Sequence, residues 1–115
     1  MERYAVKSGS RQSIENTRTA IRNCKPFKTS GALEGVSGNP GYIGRLNSTA
    51  REAYFRDANT IDYVVLSYST PIAWHTSDGR WVVVGQNFSV TTSSHQSAVR
   101  LALDSIEYET VGVDQ

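Results

Sequence analysis

"YVVLSYSTPIAWHTSDGRWVVVG", residues 63–85, decides how this chain folds. Three runs rich in β-branched and aromatic residues, 63–68, 71–76 and 81–85, alternate with short polar breaks, the pattern of strands joined by tight turns. Asp78-Gly79 between Trp74 and Trp81 is the sharpest local signal, because glycine takes the positive φ a tight hairpin requires and the flanking residues can then pair across strands. Pro71 lacks a backbone N–H and therefore belongs at a strand start or on an edge. Read as a further strand, "FSVTT" (Phe88–Thr92) completes an antiparallel β-meander.

Working toward the C-terminus, the apolar period lengthens after Thr92. Ala98, Val99, Ala102, Leu103 and Ile106 recur at helical spacing and mark one buried face. Ser93 as N-cap with Gln96 at the third helical position makes an S-x-x-Q capping box, in which each side chain satisfies the other residue's backbone N–H. The hydroxyls of "TTSSHQS" are thereby explained without catalysis, and His95 is turned toward solvent. The free N–H groups of such an end also suit an anion, so Thr92, Ser93 and His95 are binding candidates. The tail "YETVGVDQ" offers a last strand.

Working toward the N-terminus, "RYAV" is a candidate short strand, and Ser10 to Asn23 reads as a helix capped by Ser10 and stopped before Pro26. Ile14, Thr17, Ile21 and Cys24 form its core stripe. Arg11, Arg18, Arg22 and Lys25 fall within about 60° of one another at roughly 100° per residue, a basic ridge beside that stripe. Between Thr29 and Thr49 stand five glycines and a proline, so residues 37–60 are expected to be largely irregular, with a strand near Ala32–Val36 and a short helix over Ser48–Ala58. The expected architecture is α+β: an antiparallel meander of three to five strands, with two or three helices packed mainly on one face, in a single domain of residues 1–115.

Composition narrows the function classes. A chain of 115 residues suits one core. No apolar run approaches the roughly 18 residues of a membrane span, and the polar N-terminus lacks the apolar segment of an export signal. One cysteine, Cys24, allows neither an internal disulfide nor a cysteine-based metal site. No metal or cofactor is expected, and the default setting is a reducing cytoplasm. Residues 1–60 carry ten Lys/Arg against five Asp/Glu, and residues 61–115 carry two against six. Such halves attract each other, or the first half meets an anionic partner.

His75 and His95 are the two histidines and the weak catalytic candidates. "HTS" (His75–Ser77) and "HQS" (His95–Ser97) match the two H-x-[ST] motifs of a small class of phosphoesterases, although those enzymes set both motifs on paired central strands. No nucleophile-elbow motif accompanies the serines, and "GNPGYIG" lacks the lysine of a phosphate-binding loop. The basic ridge of Arg11, Arg18, Arg22 and Lys25 could contact nucleic-acid phosphates, but a sequence pI of about 7.9 is far from the strongly basic range of such domains.

"SYSTPIAWHT", the following tryptophan, and "FSVTTSSHQ" leading into a helix resemble a group of small uncharacterised proteins from phages of actinobacteria. "AIRNCKPF" and "GALEG" extend the likeness into the N-terminal half, leaving out Ser37–Thr60. The resemblance implies an accessory protein acting in the cytoplasm of an infected bacterium and implies no reaction. The first expectation is therefore a non-enzymatic protein that binds a host or phage macromolecule, a protein foremost, through a surface around Tyr68, Trp74 and His75. The alternative is a nucleic-acid-binding module using the ridge, and the third reading is the two-histidine phosphoesterase. Exposed meander edges would also permit a homodimer.

Overall fold

The computed structural model describes residues 4–6, 11–29 and 32–114, and side chains from residue 15 onward within those ranges. Its elements in chain order are β1 (Tyr4–Val6), α1 (Arg11–Arg22), β2 (Phe27–Thr29), β3 (Leu33–Ser37), α2 (Ser48–Asp57), β4 (Ile61–Ser67), β5 (Thr70–Thr76), β6 (Trp81–Val84), α3 (Val90–Ala102) and β7 (Glu109–Val111). The strands form one sheet in sequence order. The class is α+β, as expected, but the sheet has seven strands, and it is mixed: β1 runs parallel to β2 and β6 parallel to β7, around an antiparallel centre. The meander edges expected to permit self-association are occupied, by β2 against β3 and by β7 against β6.

The parallel pairs explain where the helices go. Counting directions across the ladders, β1 and β6 point the same way and both connections step the same way along the sheet. The right-handed rule for β-helix-β crossovers then assigns α1 and α3 to one face. They do share a face, where Ala20 and Ile21 of α1, Val99 and Ala102 of α3, and Leu103 just after it cover Tyr63, Val65, Ala73, Trp81 and Val83. Helix α2 joins antiparallel strands, which the rule leaves unconstrained, and covers the opposite face with Ala50, Ala53 and Tyr54 over Val64, Leu66, Trp74, Val82 and Val84. The layers are thus two helices, sheet, one helix.

Both faces of β4, β5 and β6 are buried, which is why their apolar runs are nearly continuous rather than alternating. The register shifts near Asp62 and Ile72, as bulges do. Pro71 pairs with Leu66 beside the second shift, and β6 reaches only Ala73–His75 on the other side, so its missing N–H breaks no ladder bond there. The Asp78-Gly79 hairpin forms with Gly79 at φ 89. It pairs Trp81 with His75 and sends Trp74 to the other face.

"FSVTT" departs from expectation. Phe88 and Ser89 are irregular and helix α3 already begins at Val90, with Ser89, not Ser93, as its N-cap accepting from the Thr92 N–H. The β-branched run Val90-Thr91-Thr92 favours a strand locally, but tertiary bonds override it. Gln96, buried on α3, donates to the carbonyls of Val84 at 2.7 Å and Gln86 at 3.0 Å, supplying a donor to main-chain acceptors where β6 ends. Gln96 therefore ties helix to strand and takes no part in a capping box, and Ser93 lies exposed within the helix.

Candidate functional site

The end of the sheet at the β4–β5 turn gathers the polar side chains that are not consumed by the core. Ser67 closes β4 and points toward α3, because Leu66 before it faces α2. Only 1% exposed, its Oγ lies 2.7 Å from His95 Nδ1 and 3.0 Å from Thr92 Oγ1. Thr92 and His95 are three apart on α3 and so share a face. Burial pushes the His95 pKa down, favouring the neutral ring, whose Nδ1 and the Ser67 hydroxyl share one hydrogen bond. Tyr68 sits over this pair, its ring centroid 6.3 Å from that of His95.

The turn itself is Tyr68-Ser69, with φ of 49° and 63°. Two successive left-handed residues make a two-residue hairpin turn of the kind normally filled by Asn-Gly. Beyond it, buried Thr70 accepts from the Arg45 backbone N–H at 3.0 Å. Gly44 is needed here, since it lies at φ 49 and a Cβ would collide with Thr70. Gln86 fixes the loop from the other side, donating to the Arg45 carbonyl at 2.8 Å and accepting from the Asn47 N–H at 2.8 Å. The result is a cavity of about 310 Å³ lined by Arg45, Tyr68, Thr70, Phe88 and Thr91 among others.

The opposite end of β5 is a closed ion network. Asp57, 2% exposed, accepts from Trp74 Nε1 at 3.0 Å, from Arg56 at 2.9 and 3.1 Å, and from Arg80 at 2.9 Å. Burial alone would raise its pKa, but the hydrogen bonds from Arg56, Trp74 and Arg80 outweigh that and hold the carboxyl well below the usual range. Arg56 also reaches Glu109, and Arg80 reaches Asp78. Trp74 is therefore not a surface residue as expected: it is fully buried, edge-on to Tyr54 at 5.1 Å, and its indole N–H requires the carboxylate.

The remaining candidates separate. His75 Nδ1 lies 2.7 Å from Asp62 Oδ1, against Trp81. Asp62 and Ser67, the partners of the two histidines, are five residues apart on β4, roughly 15 Å along a strand. His75 and His95 are thus held by residues near opposite ends of β4, and the structure does not bring them together. The basic ridge is also broken up. Arg22 donates to the carbonyls of Ala102 at 3.3 Å and Asp104 at 3.0 Å, satisfying the end of α3. Arg18 is partly buried, Lys25 is exposed, and the Arg11 side chain lies outside the described residues. Cys24 is pushed up to about 11 by burial and the nearby Asp62 charge, far from a reactive thiolate.

Sequence reasoning found Tyr68, Thr92 and His95, and missed Ser67, Thr70 and Arg45. "SYST" carried a signal for these in its run of polar residues at a strand end. Arg45, distant in the chain and inside a glycine-rich segment, carried none. Among the described residues no helix is long and apolar enough to cross a membrane.

These features define a three-layer α+β domain with a hydroxyl-rich cavity at the tip of its central hairpin. The chain belongs to a family of unknown function, DUF8033, whose model matches residues 10–109. No curated protein and no solved structure matches it.

Proposed function

We propose that this protein is a non-enzymatic binding module that engages a host or phage protein inside an infected bacterium, through the hairpin tip around Tyr68. The observation that carries this reading is the turn itself. Tyr68 stands 61% exposed at φ 49, where a non-glycine residue costs about 1 kcal/mol or more. Asn or Gly would remove that strain, so a tyrosine held out to solvent there is better accounted for by a contact than by folding. The likeness to actinobacteriophage proteins supports the setting. Against a nucleic-acid module stands the commitment of Arg22 to α3, and against an enzyme the separation of the histidines.

The test compares wild type with Tyr68→Asn, each immobilised and exposed to lysate of an infected actinobacterial host. Tyr68→Asn is expected to gain about 1 kcal/mol in denaturant unfolding, since asparagine tolerates the left-handed region, and to lose a specific protein that wild type retains. Equal retention by both, or none by wild type, defeats the reading.

A further inference from the structure

We propose that the cavity beneath Tyr68 is a carboxylate-binding pocket, anchored by Arg45, that receives an aspartate or glutamate side chain of the protein partner. This deepens the reading above and rests on it for the source of the carboxylate. The first support is the placement of Arg45. Its N–H is held by Thr70 and its carbonyl by Gln86, so the backbone is fixed before any ligand arrives and less order is lost on binding.

The second is that its guanidinium is uncommitted. Among the described residues, Arg56 and Arg80 are ion-paired and Arg22 bonds carbonyls, whereas Arg45 bonds only through its backbone. The third is the lining. The Tyr68 and Thr91 hydroxyls, and the Thr70 hydroxyl whose oxygen already accepts from Arg45, are donors suited to a charged acceptor, while Phe88 offers an apolar wall for a methylene stem. A volume of about 310 Å³ is at the small end of ligand sites and suits one side chain rather than a cofactor.

Charge decides between acids. The lining holds one cation and no carboxylate, and burial keeps neighbouring His95 toward its neutral form. One positive charge matches a carboxylate, whereas a phosphate monoester carries close to two negative charges at pH 7.

The experiment titrates the whole protein with sodium acetate and, separately, inorganic phosphate, against sodium chloride of matched ionic strength, following backbone amides and arginine Nε–H groups by NMR. Acetate is expected to shift Arg45, Thr70 and Thr91 saturably, with Kd on the order of millimolar. Arg45→Gln should weaken this tenfold or more, and Arg51→Gln, an exposed change on α2, should leave it unaltered. No saturable response, a response surviving Arg45→Gln, or phosphate bound tenfold tighter overturns the carboxylate pocket. In the lysate assay, retention by Arg45→Gln equal to wild type overturns the inference while leaving the Tyr68 reading intact. Acetate binding at Arg45 with no protein retained by wild type defeats the Tyr68 reading instead, and with it the assignment of the carboxylate to a protein partner.

Discussion

The two ends of strand β5 use arginine in opposite ways. At the Thr76 end, Arg56 and Arg80 converge on the buried Asp57, and Glu109 and Asp78 complete a network in which Arg56 has two acidic partners and Arg80 three. At the Thr70 end, Arg45 is fixed only by its main chain, beside a cavity with no acid among its lining residues. A cavity of about 440 Å³ also lies beside Arg80, but Glu107 and Glu109 line it with the already paired arginine. The comparison teaches that charge committed to a buried partner maintains the fold, and charge anchored but unpaired is available to something else.

Removing the buried anion should have the largest effect. Asp57→Ala leaves the buried Trp74 N–H without its acceptor and takes one acidic partner from each of two half-exposed guanidiniums that keep Glu109 or Asp78, so the expected loss is about 2–3 kcal/mol; denaturant unfolding measures it. If the loss stays below about 1 kcal/mol, the network is not what holds that end. Trp74→Phe keeps the ring but deletes its N–H, with an expected loss of about 1–2 kcal/mol. Ser89→Ala should cost about 1 kcal/mol as a lost N-cap, whereas Ser93→Ala should stay within about 0.5 kcal/mol. Arg45→Gln should be equally silent in stability, and a loss comparable to that of Asp57→Ala would collapse the contrast between the two ends.

Acidification separates the ends by order. A depressed His95 pKa contributes stability that is complete above its unfolded value, near 6.5, and falls as pH drops below it. The Asp57 pKa is depressed too, so its contribution is complete above an unfolded value near 3.9 and falls below that. Following NMR signals of Ser67 and Trp74 down the pH scale should show the hairpin tip responding first, below the ordinary histidine value of about 6.5, and the Asp57 end only at lower pH, below about 3.9. Simultaneous loss would mean that His95 does not support the tip.

Local pattern carried much of the fold. Helix α2, expected over Ser48–Ala58, is found at Ser48–Asp57, and α1, expected from Ser10 to Asn23, at Arg11–Arg22, because caps and apolar spacing act within a few residues. The strands of the central meander were legible for the same reason. What escaped was β2, and the pairing of β1 and β7, each three residues long. So short a run has too few residues for a period, and its parallel partner lies across a whole helix. The candidate site was half legible: Tyr68, Thr92 and His95 stand in a conspicuous polar stretch, but Ser67 gained meaning only when β4 aimed it at α3.

The sequence by itself determined the class, the hairpin at Asp78-Gly79, and most helix bounds, since these follow from propensities and spacings within one segment. Only the tertiary structure decided which face each tryptophan takes, that Val90-Thr91-Thr92 becomes helix, and that Arg45 arrives at the hairpin tip. Those outcomes depend on partners 10 to 41 residues distant, such as Gln96 satisfying Gln86 and Val84, and Gln86 holding the loop at Arg45 and Asn47, and a local pattern holds no information about which distant donor will meet an open carbonyl.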